Sequence, residues 1–160
     1  MNQGSKEYRV KRKGSSMDKT TEELNHEIKA ATDIEDYLNK NKDNLLSLSL
    51  SEYLNILLSQ KGIKKADVVR GSLLGRAYVY KIFAGEKIPS RDKLLAIAYG
   101  LGLSDDETQK MLKLSGNREL YARDKRDALI LFALQRNKSI FYINELLDGH
   151  GLAILNTFKE

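Results

Sequence analysis

Gly62-Ile-Lys-Lys-Ala-Asp-Val-Val-Arg-Gly-Ser-Leu-Leu-Gly-Arg-Ala-Tyr-Val-Tyr-Lys-Ile-Phe-Ala-Gly85 reads as two short helices joined by a tight, glycine-containing turn, and the rest of the chain is arranged around it. The first helix turns Ala66, Val68 and Val69 inward. The second buries Val79, Ile82 and Phe83, whose i, i+3, i+4 spacing sets all three on one stripe. Arg76, Ala77, Tyr78 and Lys81 remain outward. With Gly75 at its start, this set is short enough for backbone to approach a surface closely, and it offers Arg, Tyr and Lys for hydrogen bonds and charge. A groove of nucleic acid is the partner such a surface fits.

Two helices of this length around such a turn form a helix-turn-helix candidate. The order of glycine, short helix, turn, second helix and closing glycine resembles the Cro and phage-repressor (XRE-type) helix-turn-helix family. The following stretch Glu86-Lys-Ile-Pro-Ser-Arg-Asp-Lys-Leu-Leu-Ala-Ile-Ala-Tyr-Gly-Leu-Gly-Leu-Ser104 continues the likeness, which runs from about Leu50 to Ser104. The resemblance implies a five-helix unit whose second motif helix enters the major groove and reads base edges with its first residues. Carried onto this chain, those residues are Gly75, Arg76, Ala77 and Tyr78, with Tyr80 and Lys81 beyond them. Lys64, Lys65, Lys87 and Arg91 are expected to meet phosphates. The chain departs from the family at three places: Lys64-Lys65 stands where a Ser or Thr cap followed by Gln is usual, Leu73 replaces the turn glycine, and Phe83 replaces a Glu.

Composition agrees with an all-α protein. The 160 residues are 41% hydrophobic and 31% charged, with one proline (Pro89) and eleven glycines, which leaves room for uninterrupted helices. There is no cysteine, so disulfides, thiolate zinc sites and cysteine nucleophiles are excluded together. No apolar run approaches the roughly 20 residues of a membrane span, the longest being Ala128-Leu-Ile-Leu-Phe-Ala-Leu134. The N-terminus lacks the apolar core of a signal peptide. A soluble, cytoplasmic protein is expected.

The net charge of +5 is unevenly spread. Residues 1–20 carry six basic and two acidic groups, residues 21–61 four and eight, residues 62–93 eight and three, and residues 94–160 nine of each. The basic excess therefore sits in the N-terminal tail and in the motif, the footprint of a chain that faces a polyanion with those two segments.

Four segments follow in order. Residues 1–19 are expected to be a disordered basic tail, either an arm acting through Lys11-Arg12-Lys13 or a leader. Residues 20–44 hold an amphipathic helix, opened by the capping box Thr20-Thr-Glu-Glu23 and carrying Leu24, Ile28, Ala31, Ile34 and Leu38, then a linker Asn39–Asn44. Residues 45–116 form the helix-turn-helix domain, with further capping boxes at Ser49–Glu52 and Ser104–Glu107, a helix Arg91–Tyr99 capped by Pro89-Ser90, and a stop at Gly100 and Gly102. Residues 117–160 form a helical hairpin: a long helix Arg118–Arg136, a turn at Asn137-Lys138, and a last helix through Ile140, Phe141, Ile143, Leu146 and Leu147. The apolar end Leu152–Leu155 is expected to dock.

No catalytic constellation emerges. His26 and His150 have no metal-binding partner at i+3 or i+4, so neither zinc nor another cofactor is expected. Neither a Walker loop nor a GxGxxG after a strand is present. The run Arg123-Asp-Lys-Arg-Asp127 reads as a salt-bridge-laced helix surface. Tyr78 and Tyr80 invite a base-stacking role, yet two tyrosines on a short helix more commonly pack or meet phosphate. The expected function is thus sequence-specific double-stranded DNA binding by a non-enzymatic transcriptional regulator. Pairing into a homodimer, through the 20–38 helix or the 118–155 hairpin, extends the site. The alternative is a protein-interaction adaptor whose helix-turn-helix no longer reads DNA and which binds its partner through the C-terminal hairpin.

Overall fold

The computed structural model describes residues 19–41 and 48–155. Among these residues the structure is all-helical, with nine helices and no strand. Residues 1–18 of the basic arm or leader, 42–44 of the linker, 45–47 at the start of the expected helix-turn-helix domain, and 156–160 lie outside the described residues. The chain divides into two compact units, Met1–Ser47 and Leu48–Glu160.

In the first unit, α1 (Thr21–Ala30) opens on the expected capping box, Thr20 Oγ1 accepting from the Glu23 amide and Glu23 Oε1 from the Thr20 amide. The single helix expected from residue 20 to 38 is in fact two. Ala31 is extended, and the Asp33 carboxylate caps a second helix, α2 (Ile34–Lys40), by accepting from the Glu35 amide. Asp competes with the helical hydrogen-bond ladder through such local bonds and favours a cap over a helix interior. The expected stripe is correspondingly exposed at Ile28, Ile34 and Leu38. Asn41, read as part of the linker, is buried: it donates to Glu27 Oε1 (2.9 Å) and Tyr37 O (3.2 Å) and accepts from Lys19 Nζ (2.7 Å).

The second unit begins with α3 (Leu50–Lys61), capped reciprocally by Ser49 and Glu52, burying Leu50, Tyr53, Leu54 and Leu57 and ending at a left-handed Gly62. Then come α4 (Lys65–Ser72), α5 (Arg76–Phe83), α6 (Arg91–Leu101), α7 (Asp105–Leu114), α8 (Lys125–Gln135) and α9 (Ile140–Gly149). Helix α6 is the hub. Its run Leu94–Tyr99 is buried without interruption, and α3, α4, α7 and α9 all pack on it. A helix apolar on every side has no other stable place. Gly100, expected as a stop, lies inside α6; the left-handed residue that ends the helix is Gly102. Gly71 of α4 meets Gly100 there, and a Cβ built on Gly71 would stand 2.9 Å from the Gly100 Cα.

The long helix expected over 118–136 is shorter. Residues 117–124 are not helical, and α8 starts only where Asp124 accepts from the Asp127 amide (2.9 Å). Gln109 fastens the irregular stretch by accepting from the Leu120 amide (2.7 Å) and donating to its carbonyl (2.9 Å). Helices α8 and α9 pack on each other, burying Ile130, Ala133, Leu134, Ile140, Ile143 and Leu147. Phe141, expected on the apolar face, is instead 63% exposed. The end docks as expected at Leu155, which is buried and whose amide donates to Asn144 Oδ1 (2.9 Å).

Candidate nucleic-acid interface

Helices α4 and α5 are joined by residues 73–75. Lys64 occupies the N-cap position of α4 without a capping side chain, since an ammonium has no acceptor; its own amide donates to Asp67 Oδ2 (3.0 Å). The turn is made by Leu73 in the left-handed region (φ 63°), a conformation that costs a non-glycine residue roughly 1–2 kcal/mol. Ser72, buried beneath it, supports the turn by accepting from the Leu74 amide (3.2 Å). Gly75 is the N-cap of α5.

Helix α5 exposes Arg76, Ala77 and Lys81, as expected, and half-exposes Tyr80 (38%). Tyr78 is the exception. It was read as outward and base-reading, but only 5% of it is exposed, so it joins Val79, Ile82 and Phe83 in the buried face. Tyr78 and Ile82 are themselves four residues apart, a relation that widens the apolar stripe by one position. The buried ring still shapes the surface, because Lys87 Nζ lies 5.4 Å and Lys93 Nζ 5.2 Å from its centroid. Lys93, absent from the sequence reading, has a buried ammonium with no hydrogen-bond partner among the described residues. Its charge is met by the negative face of the ring.

Tyr80 holds a second pair of cations. Lys65 Nζ is 5.2 Å and the Arg76 guanidinium carbon 5.5 Å from its centroid, and Arg76 Nη1 donates to the Tyr80 hydroxyl (3.1 Å).

Arg91 leaves the expected site. Its guanidinium binds Asp127 through both terminal nitrogens (3.2 and 2.9 Å) and donates to the carbonyls of Arg118 and Glu119. Committed to four acceptors inside the fold, it is not available to a phosphate. Asp127, read as part of a solvated surface, has a side chain only 2% exposed and also accepts from the Tyr121 amide (2.9 Å).

The remaining cations share one property. Lys64, Lys65, Arg76, Lys81, Lys87 and Lys93 have no carboxylate partner among the described residues, whereas Lys61, Arg70, Arg91, Lys113 and Arg126 of the same unit each pair with one; Arg118, Arg123, Lys125, Arg136 and Lys138, outside the segment 62–93, are likewise without one. The acids of the segment are largely consumed elsewhere, Asp67 by Arg70 and Asp92 by Arg126. Uncompensated positive charge is left around the exposed side of α5. Among the described residues no group of three or more His, Asp or Glu is placed to hold a metal ion, and no helix is long and apolar enough to cross a membrane. Comparison with known protein families, with characterised proteins and with solved structures finds no match.

Proposed function

We propose that α4 and α5 are a helix-turn-helix of the repressor type, and that this protein is a sequence-specific, double-stranded DNA-binding regulator with no enzymatic activity of its own. The supporting observation is the set of six cations without carboxylate partners around α5. Phosphate contact dominates affinity for DNA, and a face whose charges are unsatisfied within the protein gains most from it. Arg76 and Ala77 supply the base-reading end, and Lys64, Lys65, Lys81 and Lys87 the positioning contacts. The test is binding to duplex fragments flanking the protein's own gene. Lys65→Glu with Lys81→Glu is expected to weaken binding by at least about tenfold. Unchanged affinity rejects the proposal.

A second reading is favoured by Phe132 and Phe141, which stand 40% and 63% exposed on α8 and α9. Contiguous exposed apolar surface marks protein contact sites, and these two rings on adjoining helices are what the hairpin offers to a homodimer or another partner. Sedimentation of the Phe132→Ser/Phe141→Ser protein tests it: loss of self-association with DNA affinity per protomer retained assigns the hairpin to dimerisation.

A further inference from the structure

We infer that Tyr80 is a positioning residue that presets Arg76 for recognition of a guanine edge, so that sequence discrimination depends on a pair of side chains on α5 of which only one touches a base. The inference rests on the DNA-binding reading above. Arg76 and Tyr80 lie one turn apart on the same helix, where i and i+4 side chains meet. The Tyr80 hydroxyl accepts from Arg76 Nη1 at 3.1 Å, and the guanidinium lies 5.5 Å from the ring centroid. Among the described residues Arg76 has no other side-chain hydrogen bond and no carboxylate partner. A guanidinium has five N–H donors in a rigid fork. One is spent on a neutral phenol, and the rest are free for the paired acceptors O6 and N7 of guanine.

The neutrality of the anchor matters. A carboxylate in its place would hold Arg76 more firmly but cancel the charge that phosphates attract. The phenol restricts the long side chain without cancelling it, which reduces the rotamer entropy lost on binding. Lys65 Nζ, 5.2 Å from the same centroid, keeps a second cation beside the ring. The ring therefore fixes one charge from each motif helix.

The test is a thermodynamic cycle on the full chain. Duplexes selected by the parent from a random pool define its preferred site, and affinities for that site and for unselected duplex are measured at two salt concentrations. Tyr80→Phe keeps the ring and loses the acceptor; it is expected to lower the preferred-to-unselected ratio by about 3- to 10-fold, the worth of one ordinary hydrogen bond. Tyr80→Ala is expected to lower it further, towards the value for Arg76→Ala. In the Arg76→Ala background Tyr80→Phe should change the ratio no further, and the lost preference should fall on the same base position in both single variants. In Tyr80→Phe, binding to unselected duplex and its salt dependence should stay as in the parent, since neither a charge nor the ring is removed.

An unchanged ratio in both Tyr80 variants overturns the inference, as does an equal loss in the Arg76→Ala background, which marks a role independent of the arginine. A parent that binds duplex with salt dependence but prefers no sequence also overturns it and leaves DNA binding standing. A parent that binds no duplex overturns the functional reading itself.

Discussion

Arg91-Asp92 and Arg126-Asp127 satisfy one another crosswise: Arg91 pairs with Asp127, and Arg126 with Asp92 through two 3.0 Å hydrogen bonds. Removing one partner of a buried pair strands the other, so Asp127→Ala is expected to destabilise the fold by about 3–5 kcal/mol, measured by urea unfolding. A cost near zero contradicts the placement of Asp127. This pairing was the least legible feature of the sequence, because a partner 36 residues away leaves no local periodicity, and three Arg-Asp dipeptides, at 91, 123 and 126, do not say which two pair. The capping boxes at Thr20, Ser49 and Ser104, by contrast, were legible because they are local. Two capping carboxylates titrate below their ordinary range: Asp124 because it accepts from the Asp127 amide, and Glu52 because its carboxylate accepts from the Ser49 amide and then from the Ser49 side chain. A carboxylate with a lowered value in the fold holds its proton less tightly there than when unfolded. Its stabilisation is thus present above the ordinary values of 3.8 for Asp and 4.5 for Glu and is lost as pH falls through the lowered ones. Melting temperature should therefore hold from neutrality to about pH 5 and drop below about pH 4, less steeply in Glu52→Gln; a parallel drop in that variant removes the cap from the cause.

At the scale of elements, the crossing of α4 and α6 sets how firmly the motif is mounted. A Cβ at Gly100 would lie 2.8 Å from the Val68 carbonyl oxygen and 3.2 Å from the Ser72 nitrogen, both backbone atoms that cannot step aside singly. Alanine is intrinsically the better helix former by about 1 kcal/mol, yet Gly100→Ala is expected to cost at least about 2 kcal/mol net, because the two helices must separate. A melting temperature at or above the parent's contradicts the close crossing. Gly100 was read as a helix stop because glycine serves both purposes, and two glycines two residues apart do not say which one does which. The positions of α3, α5, α7 and α9 followed from capping boxes and apolar spacing. The start of α8 and the break after α1 did not, being decided by Asp124 and Asp33 as caps within stretches whose periodicity ran on.

For the whole molecule, the segmental charge read from the sequence acquires a structural meaning. Of the eight basic residues between 62 and 93, Arg70 and Arg91 are withdrawn into ion pairs and six are left uncompensated about α5. The sequence located this basic segment but could not sort its members, because sorting depends on which acids the fold brings near. Lys93 was thereby missed, and Arg91 and Tyr78 were placed on a surface from which the fold removes them. The measurement that bears most directly on the central claim is the salt dependence of duplex binding, compared between the parent and single alanine variants at Lys64, Lys65, Lys81 and Lys87. The account predicts a steep fall in affinity between about 50 and 200 mM salt, a log–log slope that shrinks by roughly 0.9 for each of these variants, and an unshrunken slope in folded Arg91→Lys. Absence of binding at low salt, or a slope that none of the four lysine variants alters, would contradict it.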